Sequence, residues 1–134
     1  MGSNESGQCG FENLEDISTP KLLMNDKTIK IIACGGRHSM ICKENGELLV
    51  VGGNDFGQLG IKDNKLVKKP NSLMVDKEIK DIFLGASHSF ILKENGELFV
   101  LGKNNFGTFF FIFLFSIFIL FHFYLFFYFR PTWI

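Results

Sequence analysis

The sequence predicts an all-β fold, an incomplete β-propeller of about two four-stranded blades followed by a Phe-rich apolar tail long enough for one helix. The first observation is a repeat of fifty residues: Gly2, Asn4 and Gly7 recur at positions 52, 54 and 57, and again at 102, 104 and 107. The second is a series of short β-branched runs separated by glycine-containing turns. The third is that no stretch of residues 1–107 has a capped apolar period of 3.6 residues, so no helix is expected there.

The repeat is regular enough to define a structural unit. Residues 29–57 and 79–107 align without insertion or deletion and are identical at 18 of 29 positions. A unit of this size cannot bury its apolar face alone and must pack against its neighbours. We therefore expect consecutive blades in contact.

Three strands are predicted in the first half of each repeat. Residues 29–34 form a β-branched run that ends at a glycine pair, residues 38–42 form a second apolar run, and residues 47–51 form a third. Asn45-Gly46 lies between the last two runs and favours a type I′ turn, in which both central residues need φ > 0. A tight hairpin is therefore expected, and the same dipeptide fifty residues later predicts another.

A glycine-rich loop, residues 52–60, follows the hairpin and leads to the predicted fourth strand. Its glycines permit backbone conformations closed to residues with a Cβ. Pro70 predicts an edge position or the start of an outer strand, because proline cannot donate to a sheet. The kelch repeat has a similar length, but its double glycine is matched by Gly52-Gly53 and not by Gly102-Lys103.

Charge is concentrated in residues 1–107, which hold all 14 acidic groups and 13 of the 14 basic ones. The formal net charge of zero gives no direct signal for nucleic-acid binding. The densest basic stretch, residues 62–69, is interrupted by Asp63 and is interpreted as a solvated connector. No cofactor is predicted.

Cys9, Cys34 and Cys42 form no C-x-x-C pair. Their counterparts fifty residues later are all leucine, so each cysteine is expected to fill an apolar position rather than bind a metal or act in catalysis. Together with the lack of a cleavable signal pattern, this predicts an intracellular, reduced protein that is cytoplasmic or nuclear.

Three motifs recur at fixed spacing: Gly-x-x-His-Ser, Glu-Asn-Gly-Glu-Leu and Gly-x-Asn-x-x-Gly-Gln-x-Gly. Residues 1–107, which carry them, resemble the regulator of chromosome condensation repeat family. The resemblance implies a seven-bladed propeller, of which this chain would hold about two blades. The sequence begins inside a repeat and leaves the pattern at Thr108, so as a monomer it is not expected to close a ring.

His38 and His88 are predicted to have structural roles, hydrogen-bonding backbone at a strand turn, because each recurs beside a glycine and lacks a nucleophile or carboxylate at catalytic spacing. The adjacent serines are expected to point to the opposite face of the strand. The predicted structural repeat residues are Gly35, His38, Ser39, Asn45, Gly46, Gly52, Asn54, Gly57, Gln58, Gly60, Gly85, His88, Ser89, Asn95, Gly96, Gly102, Asn104 and Gly107.

The resemblance implies a non-catalytic protein–protein interaction module, with a small GTPase or a ubiquitin-pathway protein as partner. One alternative is guanine-nucleotide exchange toward a small GTPase in the complete parent protein, although no insertion here could serve as an exchange wedge. Another alternative is a nonfunctional truncated gene product. Residues 1–6 also match the N-myristoylation pattern, but the repeat itself already requires Gly2.

The tail, residues 108–134, carries a single charge, Arg130. Residues 109–129 lack formal charge and include 11 phenylalanines, a length sufficient for a membrane-spanning helix. The tail also begins within a motif and is rich in residues with T-containing codons, which favours a gene-model artefact such as a retained intron. A membrane anchor, an artefact and a buried or aggregating segment therefore stay open, and a spliced transcript continuing Gln-Leu-Gly after Gly107 would support the artefact.

Overall fold

Seven β-strands in two antiparallel sheets build residues 1–103, the part of the chain that the computed structural model describes. The first sheet, blade 1, has the order β1-β2-β3-β4, and the second, blade 2, has the order β5-β6-β7. The strands are β1 (Ile29–Cys34), β2 (His38–Lys43), β3 (Glu47–Gly52), β4 (Val67–Val75), β5 (Ile79–Leu84), β6 (His88–Lys93) and β7 (Leu98–Gly102). The prediction of an all-β fold is confirmed.

The two blades share one hydrogen-bonding register. Cys34 pairs with Ser39 in blade 1, as Leu84 pairs with Ser89 in blade 2. Both inner hairpins also carry a register shift near the start of their first strand. Because a one-residue slip would turn every side chain to the other face of the sheet, this shared register places repeat-equivalent side chains in equivalent environments.

The N-terminal segment has the arrangement of the end of a preceding repeat. Gly2 and Ile17 form an isolated antiparallel bridge. Fifty residues later Gly52 pairs with Val67, at the β3–β4 junction of blade 1. Residues 1–28 thus correspond to residues 51–78.

The turn between β2 and β3 differs from the predicted type I′ turn. Gly46 has a positive φ of 85°, whereas the residues of positive φ other than glycine do not include Asn45. The Gly46 N–H donates to Lys43 O at 2.9 Å, and Asn45 Oδ1 accepts from the Glu47 N–H at 2.9 Å. This is the three-residue hairpin loop in which a turn is followed by one left-handed glycine. The type I′ prediction was wrong because the asparagine side chain bonds two residues ahead, which stabilises a negative φ at Asn45.

Pro70 lies within β4, the edge strand of blade 1, as its lack of an N–H predicted. The β3–β4 register shifts between Val50 and Gly52, and Pro70 lies in the part of β4 opposite this shift. Blade 1 has the four strands predicted for each repeat. Blade 2 shows three of them, and residues that would supply a fourth lie outside the described range.

The core runs through both blades. Met40, Leu48 and Val50 of blade 1 are buried together with Ile79 and Ile82 of blade 2. β1 lies next to β5, and this contact is tightened by a hydrogen bond from Lys30 Nζ to Ile79 O of 3.1 Å. The predicted packing of consecutive blades is therefore present.

The three cysteines do not all fill apolar positions. Cys42 is buried in the core, as expected, and Cys9 is half-buried. Cys34 is exposed, and the prediction was wrong there because its face of β1 has no neighbouring blade among residues 1–103.

No helix in residues 1–103 is long and apolar enough to cross a membrane. The predicted anchor at residues 109–129 lies outside the described residues.

Candidate functional site

A buried hydrogen-bond chain joins the two blades. His38 Nε2 lies 2.8 Å from Ser89 Oγ, and the Ser89 hydroxyl donates to Gln58 O at 2.7 Å. The serine hydrogen is directed to the carbonyl, so the serine oxygen must accept a hydrogen from the histidine. His38 is therefore the neutral tautomer protonated at Nε2. The side chains of His38, Ser89 and Gln58 are buried. We call these residues, with the Gln58 carbonyl, the blade seam.

The sequence predicted backbone partners for His38, and the structure gives it a serine of the next blade instead. The two residues are 51 positions apart, so their pairing depends on how the blades pack. The repeated His-Ser dipeptide was the available signal. The histidine of one repeat forms a hydrogen bond with the serine of the following repeat.

A histidine bonded to a serine is also the arrangement of a nucleophile and its base. Here the histidine donates to the serine, the serine donates to a carbonyl, and both side chains are inaccessible to solvent. His38 Nδ1 has no hydrogen-bond partner among the described residues, so no carboxylate orients the ring. The seam holds the blades together and is not arranged to activate Ser89.

Burial lowers the pKa of His38 to about 4, and the nearby His88 adds to this effect because a second positive charge would be unfavourable. Burial lowers the pKa of His88 as well. Both rings are thus neutral at physiological pH.

Glycines make room for the two imidazole rings. A Cβ at Gly35 would lie 2.6 Å from His38 Cε1, and a Cβ at Gly85 would overlap the His88 ring. A Cβ at Gly35 would also overlap the carbonyl oxygen of Gly85. Close approach of a ring and of the next blade therefore requires glycine at position 35.

The Gly-rich loop that follows β3 supplies the seam carbonyl, and two buried amides hold its shape. Asn54 Oδ1 accepts from the Leu59 N–H at 2.9 Å, and Asn54 Nδ2 donates to Ile61 O at 3.0 Å. Gln58 Oε1 accepts from the Phe56 N–H at 3.0 Å. Gln58 O is consequently presented to Ser89 in a fixed position.

The same loop occurs at the N-terminus with the same hydrogen bonds. Asn4 Oδ1 accepts from the Cys9 N–H, and Gln8 Oε1 accepts from the Ser6 N–H, each at 2.9 Å. Gln8 O accepts from Ser39 Oγ at 2.8 Å. Repeat-equivalent glycines share positive φ values: 119°, 110° and 107° at Gly2, Gly52 and Gly102, 67° and 75° at Gly7 and Gly57, and 81° and 73° at Gly10 and Gly60. Asn104 and Gly107 lie outside the described residues.

We expect Asn54→Ala to destabilise the described fold by about 2 kcal/mol, since it leaves buried backbone groups without their partners. The exposed Asp63 also loses a bond, because its carbonyl oxygen accepts from Asn54 Nδ2 at 2.6 Å. The free energy of unfolding from urea denaturation, followed by circular dichroism, measures the effect. Asn54→Asp keeps the acceptor for the Leu59 N–H but places a buried carboxylate oxygen against Ile61 O and Asp63 O, so it should destabilise at least as much as Asn54→Ala. A smaller loss in Asn54→Asp would contradict the assigned hydrogen bonds.

A second repeated cluster lies at the hairpins. Lys43 Nζ lies 3.2 Å from Asp26 Oδ2 and 2.9 Å from Glu47 Oε2. Hydrogen bonds from Thr28, and then from Lys43, lower the pKa of Asp26 to about 2. Lys93 repeats the arrangement with an aspartate and a glutamate of blade 2. Because these pairs are near the surface, we interpret them as turn supports of modest energy.

Within residues 1–103, no cluster of three or more His, Cys, Asp or Glu side chains could hold a metal ion. The basic connector is partly neutralised, because Lys65 pairs with Asp63 and Lys69 pairs with Glu12. Among the described residues, the surface therefore shows no basic patch beyond this stretch of residues 62–69.

Known proteins share this fold and its repeats. The family model of the Regulator of chromosome condensation (RCC1) repeat matches residues 1–42 and 45–92, and a second model of the same description matches residues 29–58 and 79–108. The RCC1 repeat-containing protein C10F6.04 of Schizosaccharomyces pombe is 36% identical over 52 residues, which are 39% of this chain and 15% of that protein.

Three solved structures are similar. Human WBSCR16 has a TM-score of 0.67 at 23% identity, covering 79% of this chain and 29% of that one. Yeast RCC1 (Prp20), bound to Kap60, has a TM-score of 0.59 at 24% identity, covering 77% and 27%. Prp20p from Saccharomyces cerevisiae, whose structure was described with its binding properties to Gsp1p and histones, has a TM-score of 0.62 at 30% identity, covering 74% and 27%.

The chain spans less than a third of the length of each of these relatives. The RCC1 matches nevertheless extend over more than half of its own residues, and they include the His-Ser pairs of the blade seam and the asparagine and glutamine of the Gly-rich loop. This chain belongs to the RCC1 repeat family.

Proposed function

We propose that the chain is a non-catalytic protein–protein interaction module, formed from part of an RCC1-type propeller. The observation that carries the proposal is that the polar repeat residues form hydrogen bonds inside the fold. His38, Ser89 and Asn54 are buried and bonded inside the fold. Side chains engaged in this way support a scaffold, and recognition then falls to exposed loops.

One exposed group of side chains suits recognition. Arg37 Nε donates to Ser6 Oγ at 3.0 Å, and its guanidinium lies 4.0 Å from Asp55 Oδ2. Beside Asp55, the Phe56 side chain is 43% exposed, and Lys103 Nζ lies 4.5 Å from the centre of its ring. Exposed aromatic side chains and arginine are among the residues enriched at protein interfaces. We call Arg37, Asp55, Phe56 and Lys103 the loop cluster.

A small GTPase is the partner that we propose first, with a ubiquitin-pathway protein as the alternative. The support is the similarity to Prp20p, which was described with its binding to Gsp1p. Exchange activity in the complete parent protein is a second candidate on the same ground. A fluorescent GDP release assay separates the two roles: binding of the GTPase without faster release supports the module, and faster release supports exchange.

Phe56→Ala is expected to weaken binding of a small GTPase about tenfold, as truncation of an aromatic hot spot does. Biolayer interferometry with the full chain immobilised measures the dissociation constant. The loop should keep its shape, because Gln58 accepts from the backbone N–H of Phe56 and not from its side chain. Val75→Ala, at a position 68% exposed on the edge strand, is the matched control. Equal affinity of the two variants would exclude the loop cluster as the binding surface.

We also propose that residues 1–107 are the repeat region and that residues 108–134 are a separate tail. The protein is proposed to be cytoplasmic or nuclear. The change in composition at Thr108, where charge disappears and phenylalanine dominates, supports this boundary.

A further inference from the structure

One hydroxyl group of the chain has a proline directly after it. Thr19 precedes Pro20, and the remaining two prolines follow a lysine and an arginine, so this is the single Ser/Thr-Pro dipeptide of the sequence. Pro20 has a counterpart fifty residues later in Pro70, which the repeat explains. The counterpart of Thr19 is Lys69, so the repeat does not account for the threonine.

The Thr19 hydroxyl is not used by the fold. Ser39, Ser89 and Thr28 each donate a hydrogen bond of 2.7 or 2.8 Å from their hydroxyl groups. Thr19 is exposed, and its hydroxyl forms no hydrogen bond with another of residues 1–103. Its oxygen is therefore accessible to a reacting group, whereas those of Ser39, Ser89 and Thr28 are engaged.

The exposure of Thr19 is a property of its position in the repeat. Lys69, its counterpart, lies in β4, which pairs with β3 within the four-stranded sheet of blade 1. Even in this complete sheet the Lys69 side chain is 67% exposed, and the neighbouring Lys68 is exposed as well. A strand of a preceding repeat paired with residues 17–25 in the same way would therefore leave Thr19 at the outer rim.

The backbone at this repeat position also bulges out of the sheet. In blade 1 the pairing passes from Val50 with Asn71 to Gly52 with Val67, so residues 68–70 lie opposite a single residue of β3. Such a bulge leaves backbone groups outside the ladder and redirects side chains. Residues 18–20 occupy the equivalent position and belong to no strand. Another protein can thus reach the Thr-Pro dipeptide without breaking regular β-pairing.

We propose that Thr19 is a phosphorylation site for a proline-directed protein kinase, whose peptide groove accepts a residue without an N–H after the modified one. Thr19 Oγ1 forms a bond to the γ-phosphorus of ATP, the bond from that phosphorus to the bridging oxygen breaks to release ADP, and the hydroxyl proton passes to the catalytic carboxylate of the kinase. The phosphate adds about 1.5 to 2 negative charges, two residues from Lys21, to a chain whose formal net charge is zero. This site is separate from the loop cluster and independent of any GTPase.

The test uses the full chain in a mild non-ionic detergent, which shields the apolar tail. The chain is incubated with ATP and, in separate reactions, a cyclin-dependent and a mitogen-activated protein kinase. Fragmentation mass spectrometry should place one phosphate on Thr19 with at least one of the two enzymes. Pro20→Ala should slow incorporation at least tenfold, and Thr19→Val should abolish it. Ser18→Ala is the matched control, since it removes an adjacent exposed hydroxyl that no proline follows, and it should react like the wild type.

Circular dichroism checks that the variants keep the fold, and a synthetic peptide of residues 12–26 checks that the kinases accept the local sequence. Phosphorylation of the peptide but not of the chain would show that the fold hides Thr19. Equal rates for Pro20→Ala and the wild type would show that the proline is not recognised. Either result, phosphate mainly on another hydroxyl, or no phosphate on chain and peptide alike would overturn the proposal.

Discussion

Gly46→Ala is expected to destabilise the fold by about 4 kcal/mol, whereas Gly96→Ala, the same change fifty residues later, is expected to cost about 1 kcal/mol. The two glycines have nearly the same φ, 85° and 87°, so alanine meets the same backbone strain at both. A Cβ at Gly46 would also lie 2.5 Å from the carbonyl oxygen of Asp76, whose N–H donates to Gly46 O at 2.9 Å. At Gly96 no described atom lies within 4 Å of an added Cβ. The difference between the variants therefore isolates the clash.

Urea denaturation of both variants, followed by circular dichroism, measures the two free energies of unfolding. Backbone atoms cannot move aside as the end of a flexible side chain can, so the strand connection at Asp76 must shift in Gly46→Ala. Equal costs for the two variants would show that the hairpin of blade 1 does not pack on this connection.

Lowering the pH from about 7 to about 4 is expected to remove about 3 kcal/mol of stability through His38 alone. The pKa of this ring is about 4 in the folded protein and 6.5 as a free side chain. Above 6.5 the ring is neutral in both states and stability does not depend on it. Between pH 6.5 and pH 4 the unfolded chain binds a proton that the folded chain does not, so the free energy of unfolding decreases as the pH is lowered. This loss is complete below the folded pKa. His88 acts in the same direction, because burial lowers its pKa too.

The free energy of unfolding at several pH values between 4 and 7 tests this expectation. His38→Gln retains an N–H donor for Ser89 and does not titrate, so its stability should depend less steeply on pH than that of the wild type. Asp26, with a pKa of about 2, titrates mostly below this range and does not obscure the comparison. A wild-type slope equal to that of His38→Gln would mean that the buried ring does not resist protonation.

Much of the fold follows from local sequence. Residues 29–34, with their β-branched side chains, form β1 as predicted, and the two hairpins lie where Asn45-Gly46 and Asn95-Gly96 placed them. The edge position of Pro70 also followed from its missing N–H. These features depend on residues that are neighbours in the chain, so a pattern over a few positions contains the information.

The details that sequence reasoning missed depend on contacts between distant residues or on competing side-chain bonds. The turn at Asn45 is not type I′, because the asparagine oxygen accepts from the Glu47 N–H. Cys34 is exposed although its repeat counterpart is leucine, because the neighbour that would cover it is not among residues 1–103. Equivalence in sequence therefore predicted the position of a residue in its strand, but not its burial.

The sequence by itself determined the repeat of fifty residues, the succession of strands with the hairpin between the second and third, and the family, because strand periodicity and glycine turns are local properties. Only the tertiary structure decided that His38 donates to Ser89 of the next blade, that Ser89 in turn donates to Gln58 O, and that the same face is closed at Ile82 and open at Ile32. The physical reason is that a blade buries its apolar face and pairs its polar groups against another blade. The environment of each repeated residue is therefore set by what packs beside it.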